Sequence, residues 1–158
     1  MKANILLLIF SLFPLAAQAQ VNDLPNPEPY FVAIIVENMD SSVQWYTKKL
    51  GFEVISRIDL EERGFKQANL KLGNTRIELI QTSNSIYKKD ILKEATPRSR
   101  IAGLFKFGFV LDDFDKWVST LKNSGVEFKG SVVKDPNTNQ RMVIILDPDG
   151  NRIQLFEK

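Results

Sequence analysis

The side chains available for chemistry in this 158-residue chain are limited, because it contains no histidine and no cysteine. Histidine is the commonest general base at neutral pH and the commonest metal ligand in proteins. Cysteine supplies thiolate chemistry and disulfides. Without these two residue types, Asp, Glu and backbone oxygen remain as the good ligands for a metal ion. The fold must be held by its apolar core, since no disulfide can form.

The charged residues with the most informative spacing lie in two segments in which the same residue types follow one another in the same order. The first segment has a turn followed by Arg, Ile, an acidic residue and Leu, and reads Gly73-Asn74-Thr75-Arg76-Ile77-Glu78-Leu79-Ile80. The second has a turn followed by Arg, Ile, an amide and Leu, and reads Asp147-Pro148-Asp149-Gly150-Asn151-Arg152-Ile153-Gln154-Leu155-Phe156. Apolar and polar residues alternate in both, which predicts a strand directly after a tight turn. Arg76 and Arg152 are equivalent in this pattern, and the sequence leaves open whether they face an interior or the solvent.

Two further pairs of segments repeat at nearly the same distance. Residues 34–40 match residues 109–115, and residues 50–54 match residues 124–128. Three blocks repeated at nearly one offset predict a module present in two copies. Two copies are too few for an open solenoid, so we expect the halves to pair into one closed domain.

The periodicity gives each module the element order βαβββ. The first module covers about residues 29–82, the crossover about 83–103 and the second module about 104–158. The predicted strands are residues 30–36, 52–59, 65–72, 76–81, 104–111, 126–133, 141–146 and 152–156. One helix is capped by Asn38 or Asp40 and stops at Gly51, the other is capped by Asp112 or Asp113, and a short one is predicted at residues 86–95. The predicted class is α+β, an eight-stranded cup in which helices cover one face and the other lines a shared interior.

The N-terminus has the pattern of a secretory signal peptide. Met1-Lys2 is followed by an apolar run over residues 5–15 and by Ala17-Gln18-Ala19. A basic start, a short apolar segment and an A-x-A site predict cleavage after Ala19, giving a signal peptide at residues 1–19 and a linker at 20–28. A buried N-terminal helix is the alternative; the run is too short for a membrane span. The mature protein is therefore expected to be periplasmic or secreted, with no membrane segment after cleavage.

Composition and charge exclude some partners. The chain has 21 basic and 19 acidic residues, so cleavage, which removes Lys2, leaves 20 basic and 19 acidic residues and a net charge of +1. A near-neutral balance without a basic stripe gives no reason to expect nucleic acid. A glycine-rich phosphate loop is also absent from the sequence.

The duplicated module resembles the vicinal oxygen chelate superfamily, which includes glyoxalase I, extradiol dioxygenases and bleomycin-resistance proteins. The residues that carry the resemblance are Val36-Glu37-Asn38-Met39-Asp40-Ser41-Ser42, Trp45-Tyr46, Leu50-Gly51-Phe52-Glu53 and Asp147-Pro148-Asp149-Gly150-Asn151-Arg152-Ile153-Gln154-Leu155. The resemblance covers residues 30–157. It implies the fold, whereas the superfamily hosts many reactions on that scaffold.

The resemblance also implies four positions at which metal-using members chelate a divalent ion, one on the first and one on the last strand of each module. In this sequence they hold Phe31, Glu78, Lys106 and Gln154. Phe cannot coordinate a metal, Lys brings a positive charge, and the amide of Gln is a weak donor for a transition metal. We therefore expect no metal and no other cofactor at these positions.

In place of a metal centre, the resemblance implies a cavity shared by Glu78 and Lys106. An ion pair there would either offer a polar ligand one acceptor and one donor or fill the vacated centre inertly. Phe31 and Phe156 would add aromatic lining, a usual component of small-molecule sites, although aromatic side chains at strand spacing also build cores. The facing of Gln67, Asn69 and Arg141 is left open.

Three functions remain. The first is an exported, metal-free protein that binds and sequesters a small molecule, as the resistance proteins that it resembles do. Such a protein could form a homodimer. The second is a glyoxalase-like lyase or isomerase, or a dioxygenase, with an atypical or displaced site. The third is metal-free acid–base catalysis by Glu78 with Lys106 as electrophile.

Overall fold

The computed structural model describes residues 28–87, 90 and 103–158. The predicted signal peptide, nearly all of the linker, most of the crossover and most of the helix predicted at residues 86–95 lie outside the described residues. The described elements are β1 (Val32–Ile35), α1 (Met39–Leu50), β2 (Glu53–Leu60), β3 (Phe65–Leu72), β4 (Thr75–Thr82), β5 (Phe107–Leu111), α2 (Phe114–Asn123), β6 (Val133–Lys134), β7 (Arg141–Leu146) and β8 (Arg152–Glu157). A single 3-10 turn, Glu61–Arg63, joins β2 to β3.

The described strands form two four-stranded sheets, one for each module. Sheet one has the order β1-β4-β3-β2 and sheet two the order β5-β8-β7-β6. In each sheet the first and last strands of the module pair in parallel, and the remaining pairs are antiparallel. The α+β class, the duplicated βαβββ order and the eight strands are confirmed.

One predicted strand, residues 126–133, is wrong in extent. Only Val133–Lys134 pairs as β6, and Phe128 makes an isolated bridge to Ile145. Gly130 lies between these pairings with a φ of 92°, outside the extended region. The chain therefore leaves the sheet at Gly130 and rejoins it three residues later.

The helix ends follow the local signals in the sequence. The side chain of Asn38 accepts from the N–H of Ser41 at the start of α1, and Gly51 ends that helix with a φ of 79°. Asp113 caps α2 by accepting from the N–H of Lys116. The carboxylate of Asp112, the other predicted cap, instead binds Lys158 at 2.7 Å.

The helix-facing sides of the two sheets share one apolar core. It contains Val43, Tyr46 and Leu50 of α1, Ile77 and Leu79 of β4, Phe114, Val118 and Leu121 of α2, and Ile153 and Leu155 of β8. The rings of Phe52 and Phe109, one from each module, meet at a centroid distance of 6.1 Å. The opposite faces are open to solvent, since Ile35 is 54% and Val110 61% exposed.

Polar contacts between α1 and the β7–β8 turn fix the joint between the modules. The Tyr46 hydroxyl donates to Asp147 over 2.9 Å, and the N–H of Glu37 donates to Asp149 over 2.9 Å. Ser42 donates to the other oxygen of Asp149 over 3.3 Å. The turn of the second repeated segment is thus bound directly to the first helix of the other module.

Among the residues that the structure describes, no helix is long and apolar enough to cross a bilayer.

Candidate functional site

A pocket of about 300 Å³ lies over sheet one, on the side away from α1. Its wall contains both charged and aromatic side chains. The lining residues are Tyr30, Phe31, Ile55, Ser56, Gln67, Asn69, Leu70, Arg76, Ile77 and Glu78. This composition, a partly apolar wall with a few convergent polar groups, is typical of a small-molecule site.

The tight turn between β3 and β4 determines which side chains meet in this pocket. Leu72 pairs with Thr75 across the turn, and the antiparallel register then places Asn69 opposite Glu78. Ser56 of β2 lies opposite Asn69 in turn. Because successive residues of a strand alternate faces, Arg76 lies on the same face as Glu78.

The polar groups of the pocket are already oriented by one another. The Glu78 carboxylate accepts a hydrogen bond from the side-chain amide of Gln67. The Asn69 amide donates to the Ser56 hydroxyl over 3.0 Å. Glu78 keeps further lone pairs for a ligand, because a carboxylate has about four acceptor positions.

A guanidinium and two rings form the other wall. The Arg76 guanidinium lies over the Tyr30 ring at 5.0 Å from its centroid, and Tyr30 meets Phe31 edge to face at 5.5 Å. The second module repeats the arrangement, with Arg152 over the ring of Phe105 at 4.2 Å. These two cation–π pairs occupy equivalent positions of the repeat, so the arginines are held against rings.

The structure brings together only part of the predicted site. Phe31 and Glu78 line the pocket over sheet one, whereas Lys106, Gln154 and Phe156 are not among its lining residues. Between the described side chains of Glu78 and Lys106 there is no ion pair. Arg76 is the one basic residue among those that line this pocket.

Gln154 lies beneath the surface of sheet two, where it is 4% exposed. Its amide nitrogen contacts the sulfur of Met142, and its amide oxygen has no hydrogen-bond partner among the described residues. Phe156 follows on the same strand, paired with Met142 of β7 and Val110 of β5. These residues therefore belong to the second module's own face.

The donor set does not fit the divalent metal that the resemblance associates with this fold. Among residues 28–87, 90 and 103–158, no cluster of three or more His, Cys, Asp or Glu side chains could hold an ion. At the four positions carried over from the resemblance, Glu78 is the single carboxylate, and it is engaged by Gln67. One carboxylate beside phenylalanine, lysine and glutamine is not a transition-metal site.

Sequence reasoning left Gln67, Asn69 and Arg76 undecided and did not single out Tyr30 or Ser56. The missing information was the register across Gly73-Asn74, from which the residues beside Glu78 follow. Arg141 faces the helix side, where it binds Asp115 at 2.8 Å and Glu157 at 2.6 Å. It is a structural residue.

Comparison with known proteins points to one family. The family model described as Glyoxalase/Bleomycin resistance protein/Dioxygenase superfamily matches residues 30–155. The chain is 32% identical over 130 residues to an uncharacterized protein, YwkD, of Bacillus subtilis strain 168, covering 82% of this chain and 95% of that protein. It is 28% identical over 157 residues to a probable chloroplastic lactoylglutathione lyase of Arabidopsis thaliana, covering 90% of this chain and 41% of that protein.

A solved structure has the same fold. The crystal structure of a glyoxalase family protein from Enterococcus faecalis superposes with a TM-score of 0.70 at 25% sequence identity. The superposition covers 82% of this chain and 97% of that one.

Proposed function

The chain belongs to the Glyoxalase/Bleomycin resistance protein/Dioxygenase superfamily, and within it we propose that this protein binds a small polar organic molecule without a metal ion. The site proposed for this molecule is the pocket over sheet one. The observation that carries the proposal is a pocket of about 300 Å³ with charged and aromatic walls, whose donor set does not suit a metal.

The chemistry of the pocket defines the class of ligand. Glu78 offers acceptors, and Arg76 offers donors that match a carboxylate or another planar anion. Tyr30 and Phe31 provide ring faces and edges for an apolar or aromatic part. The ligand is therefore a molecule with an aromatic or apolar body that carries both a hydrogen-bond donor and an anionic or strongly accepting group.

The absence of a metal requirement is tested on mature protein purified without chelator. Elemental analysis is expected to find no stoichiometric metal, and Mn²⁺, Ni²⁺, Zn²⁺ and Fe²⁺ are expected to leave the melting temperature unchanged. A ligand that binds only the folded state raises that temperature by mass action. A stoichiometric metal with a clear shift would overturn the proposal and favour the enzyme alternative.

Ligand binding is tested by a melting screen of small aromatic acids, followed by calorimetry on each hit. Removing the charge of Glu78 with Glu78→Gln, or of Arg76 with Arg76→Met, is expected to weaken binding of a hit by about 10- to 100-fold, since a hydrogen bond to a charged group contributes about 1.5–3 kcal/mol. Glu62→Gln, an exposed carboxylate in the β2–β3 turn, is the matched control. A hit that binds wild type, Glu78→Gln and Arg76→Met equally well would place its site elsewhere.

A metal-free enzyme is the second candidate, favoured by the placement of one carboxylate and one guanidinium in the same pocket. Glu78 would accept a proton and Arg76 would stabilise the resulting negative charge. The similarity to a probable lactoylglutathione lyase supports a carbonyl substrate. Turnover of a screened aldehyde or ketone that is lost in Glu78→Gln would establish this reading over simple binding.

We further propose that residues 1–19 direct export and are removed, which makes the mature protein periplasmic or secreted. Support comes from the Lys2 start, the apolar run and the Ala17-Gln18-Ala19 site. N-terminal sequencing of protein from the periplasm or the medium is expected to begin at Gln20. Recovery of the chain in the cytosol with its N-terminus intact would contradict export.

A homodimer is the partner proposed for the open face of sheet one. Support comes from its exposed apolar side chains, with Phe31, Ile58 and Leu60 at 55%, 44% and 41% exposure. Phe31 and Glu78 are also equivalent in the repeat to Lys106 and Gln154, so a twofold axis could set one module's face against the other's. Sedimentation equilibrium is expected to give a dimer that Ile58→Glu dissociates and Ile86→Glu does not. A wild-type monomer at micromolar concentration would refute it.

A further inference from the structure

A second cavity lies between the two helices, on the opposite side of sheet one from the proposed ligand site. It has a volume of about 450 Å³ and runs from the C-terminal end of α1 to the first turns of α2. Its lining includes Lys48, Lys49 and Leu50 from the end of α1, and Asp113, Lys116 and Trp117 from the start of α2. Leu50 and the indole of Trp117, which packs against the core, provide its apolar surface.

The charges at the mouth of this interhelical groove are unbalanced. Within the described part of the chain, neither Lys48 nor Lys116 has an ion-pair or hydrogen-bond partner for its ammonium group. Lys49 donates to the backbone oxygen of Ser124. The carboxylate of Asp113 accepts from the N–H of Lys116, as the cap of α2. The groove thus carries two unpaired cations on an apolar floor.

The position of Lys116 is not explained by helix stability. Lys48 lies in the last turn of α1, where a cation interacts favourably with the helix dipole. Lys116 is the third residue of α2, in the first turn, where the dipole opposes a positive charge. An anion bound in the groove would compensate both lysines at once.

The aromatic wall adds the second requirement on a ligand. The indole N–H of Trp117 has no hydrogen-bond partner among the described residues. Its ring is partly exposed beside the lysines, so it offers a face for stacking and a donor at its edge. We propose that the interhelical groove is a binding site for a planar aromatic anion, a carboxylate or sulfonate, whose ring lies on Trp117 and whose charge lies between Lys48 and Lys116.

The test uses 1-naphthoate as probe and the uncharged 1-naphthalenemethanol as its matched control on the full mature chain. Trp45 and Trp117 give two indole N–H resonances, which Trp117→Phe assigns. Naphthoate is expected to shift the Trp117 resonance and to bind about tenfold more tightly than the alcohol, because two exposed lysines attract its carboxylate. Added salt should reduce that preference.

Charge removal separates this site from general surface binding. The double variant Lys48→Gln/Lys116→Gln is expected to bind naphthoate no better than the alcohol, while Lys71→Gln/Lys129→Gln, two lysines outside the groove, keeps the preference. Glu78→Gln should leave naphthoate binding at Trp117 unchanged, so failure of the sheet-one site is distinguishable. Equal affinities for acid and alcohol in the wild type, or no shift of the Trp117 resonance at saturation, would overturn the proposal.

Discussion

Replacing Asp147 by alanine is expected to lower the free energy of unfolding by about 3–5 kcal/mol. This carboxylate is 5% exposed and accepts four hydrogen bonds, from the Tyr46 hydroxyl, the N–H of Asp149, and the N–H and side-chain amide of Asn151. Alanine would leave these donors without a partner inside the joint between the modules, and each unsatisfied buried group costs about 1–3 kcal/mol before relaxation. Urea unfolding followed by far-UV circular dichroism measures the loss.

The control is Asp112→Ala, which removes a carboxylate from an exposed pair with Lys158. That pair contributes under about 1 kcal/mol. Tyr46→Phe should cost less than Asp147→Ala and couple to it in a double-mutant cycle, because the two side chains share a hydrogen bond. Burial raises the pKa of Tyr46 well above its ordinary range, so it remains a donor throughout the accessible pH range. Equal stabilities for Asp147→Ala and Asp112→Ala would show that the joint does not depend on this turn.

For the neighbouring Asp149, by contrast, removal of the charge is expected to keep or raise the stability of the fold at pH 7. Partial burial raises the pKa of its carboxyl above the usual value, against the hydrogen bonds from Glu37 and Ser42. A raised folded-state pKa means that the protonated form is favoured in the folded protein. Protonation of Asp149 therefore stabilises the folded state. This stabilisation is complete below the pKa of the unfolded state and is lost as pH rises through the pKa of the folded state. Asp149→Asn keeps an acceptor without the charge, so this variant should match or exceed wild-type stability at pH 7 and lose the advantage in acid.

The fold was predictable from sequence because the repeat and the turn residues are local signals. Gly51 and Asn38 bound α1, and the alternation in residues 65–72 matches β3. The packing of the two modules was less accessible. The periodicity predicted that the faces away from the helices line a shared interior. In the described residues it is instead the helix-facing sides of the two modules that meet, through Phe52 and Phe109. Sequence periodicity defines a buried face but does not say which other element buries it.

The candidate site shows the same limit. The resemblance implied that Glu78 lines a cavity, and it does line the pocket on the face away from α1. Which residues lie beside it, Gln67 and Asn69, depends on strand register. A shift of one residue would turn both to the other face. The cation–π contact of Arg76 with Tyr30 joins residues that are far apart in the sequence, so sequence spacing does not predict it. The interaction of α1 with the turn at residues 147–150 is also a contact between modules, and it became visible only in three dimensions.

The repeat makes a second strong prediction, at Gly108. Its counterpart in the first module is Ala33, opposite Glu78, whereas Gly108 lies opposite Gln154. A Cβ atom at position 108 would lie 2.5 Å from the backbone oxygen of Gln154, an obstacle that no rotamer change can remove. Gly108→Ala should therefore separate β5 from β8 and cost about 1–3 kcal/mol in urea unfolding.

The reciprocal change tests whether this cost comes from the close approach of the strands. Ala33→Gly creates no clash and should cost about 0.5–1 kcal/mol through backbone entropy alone. In Gly108→Ala the strand that carries Gln154 must move, so its backbone amide resonances should shift more than those around Glu78. The two equivalent positions of the repeat would then differ in their tolerance of alanine, because the parallel strands of the second module lie closer together than an alanine side chain allows. If Gly108→Ala were as stable as the wild type, β5 and β8 would have to lie farther apart than the structure places them.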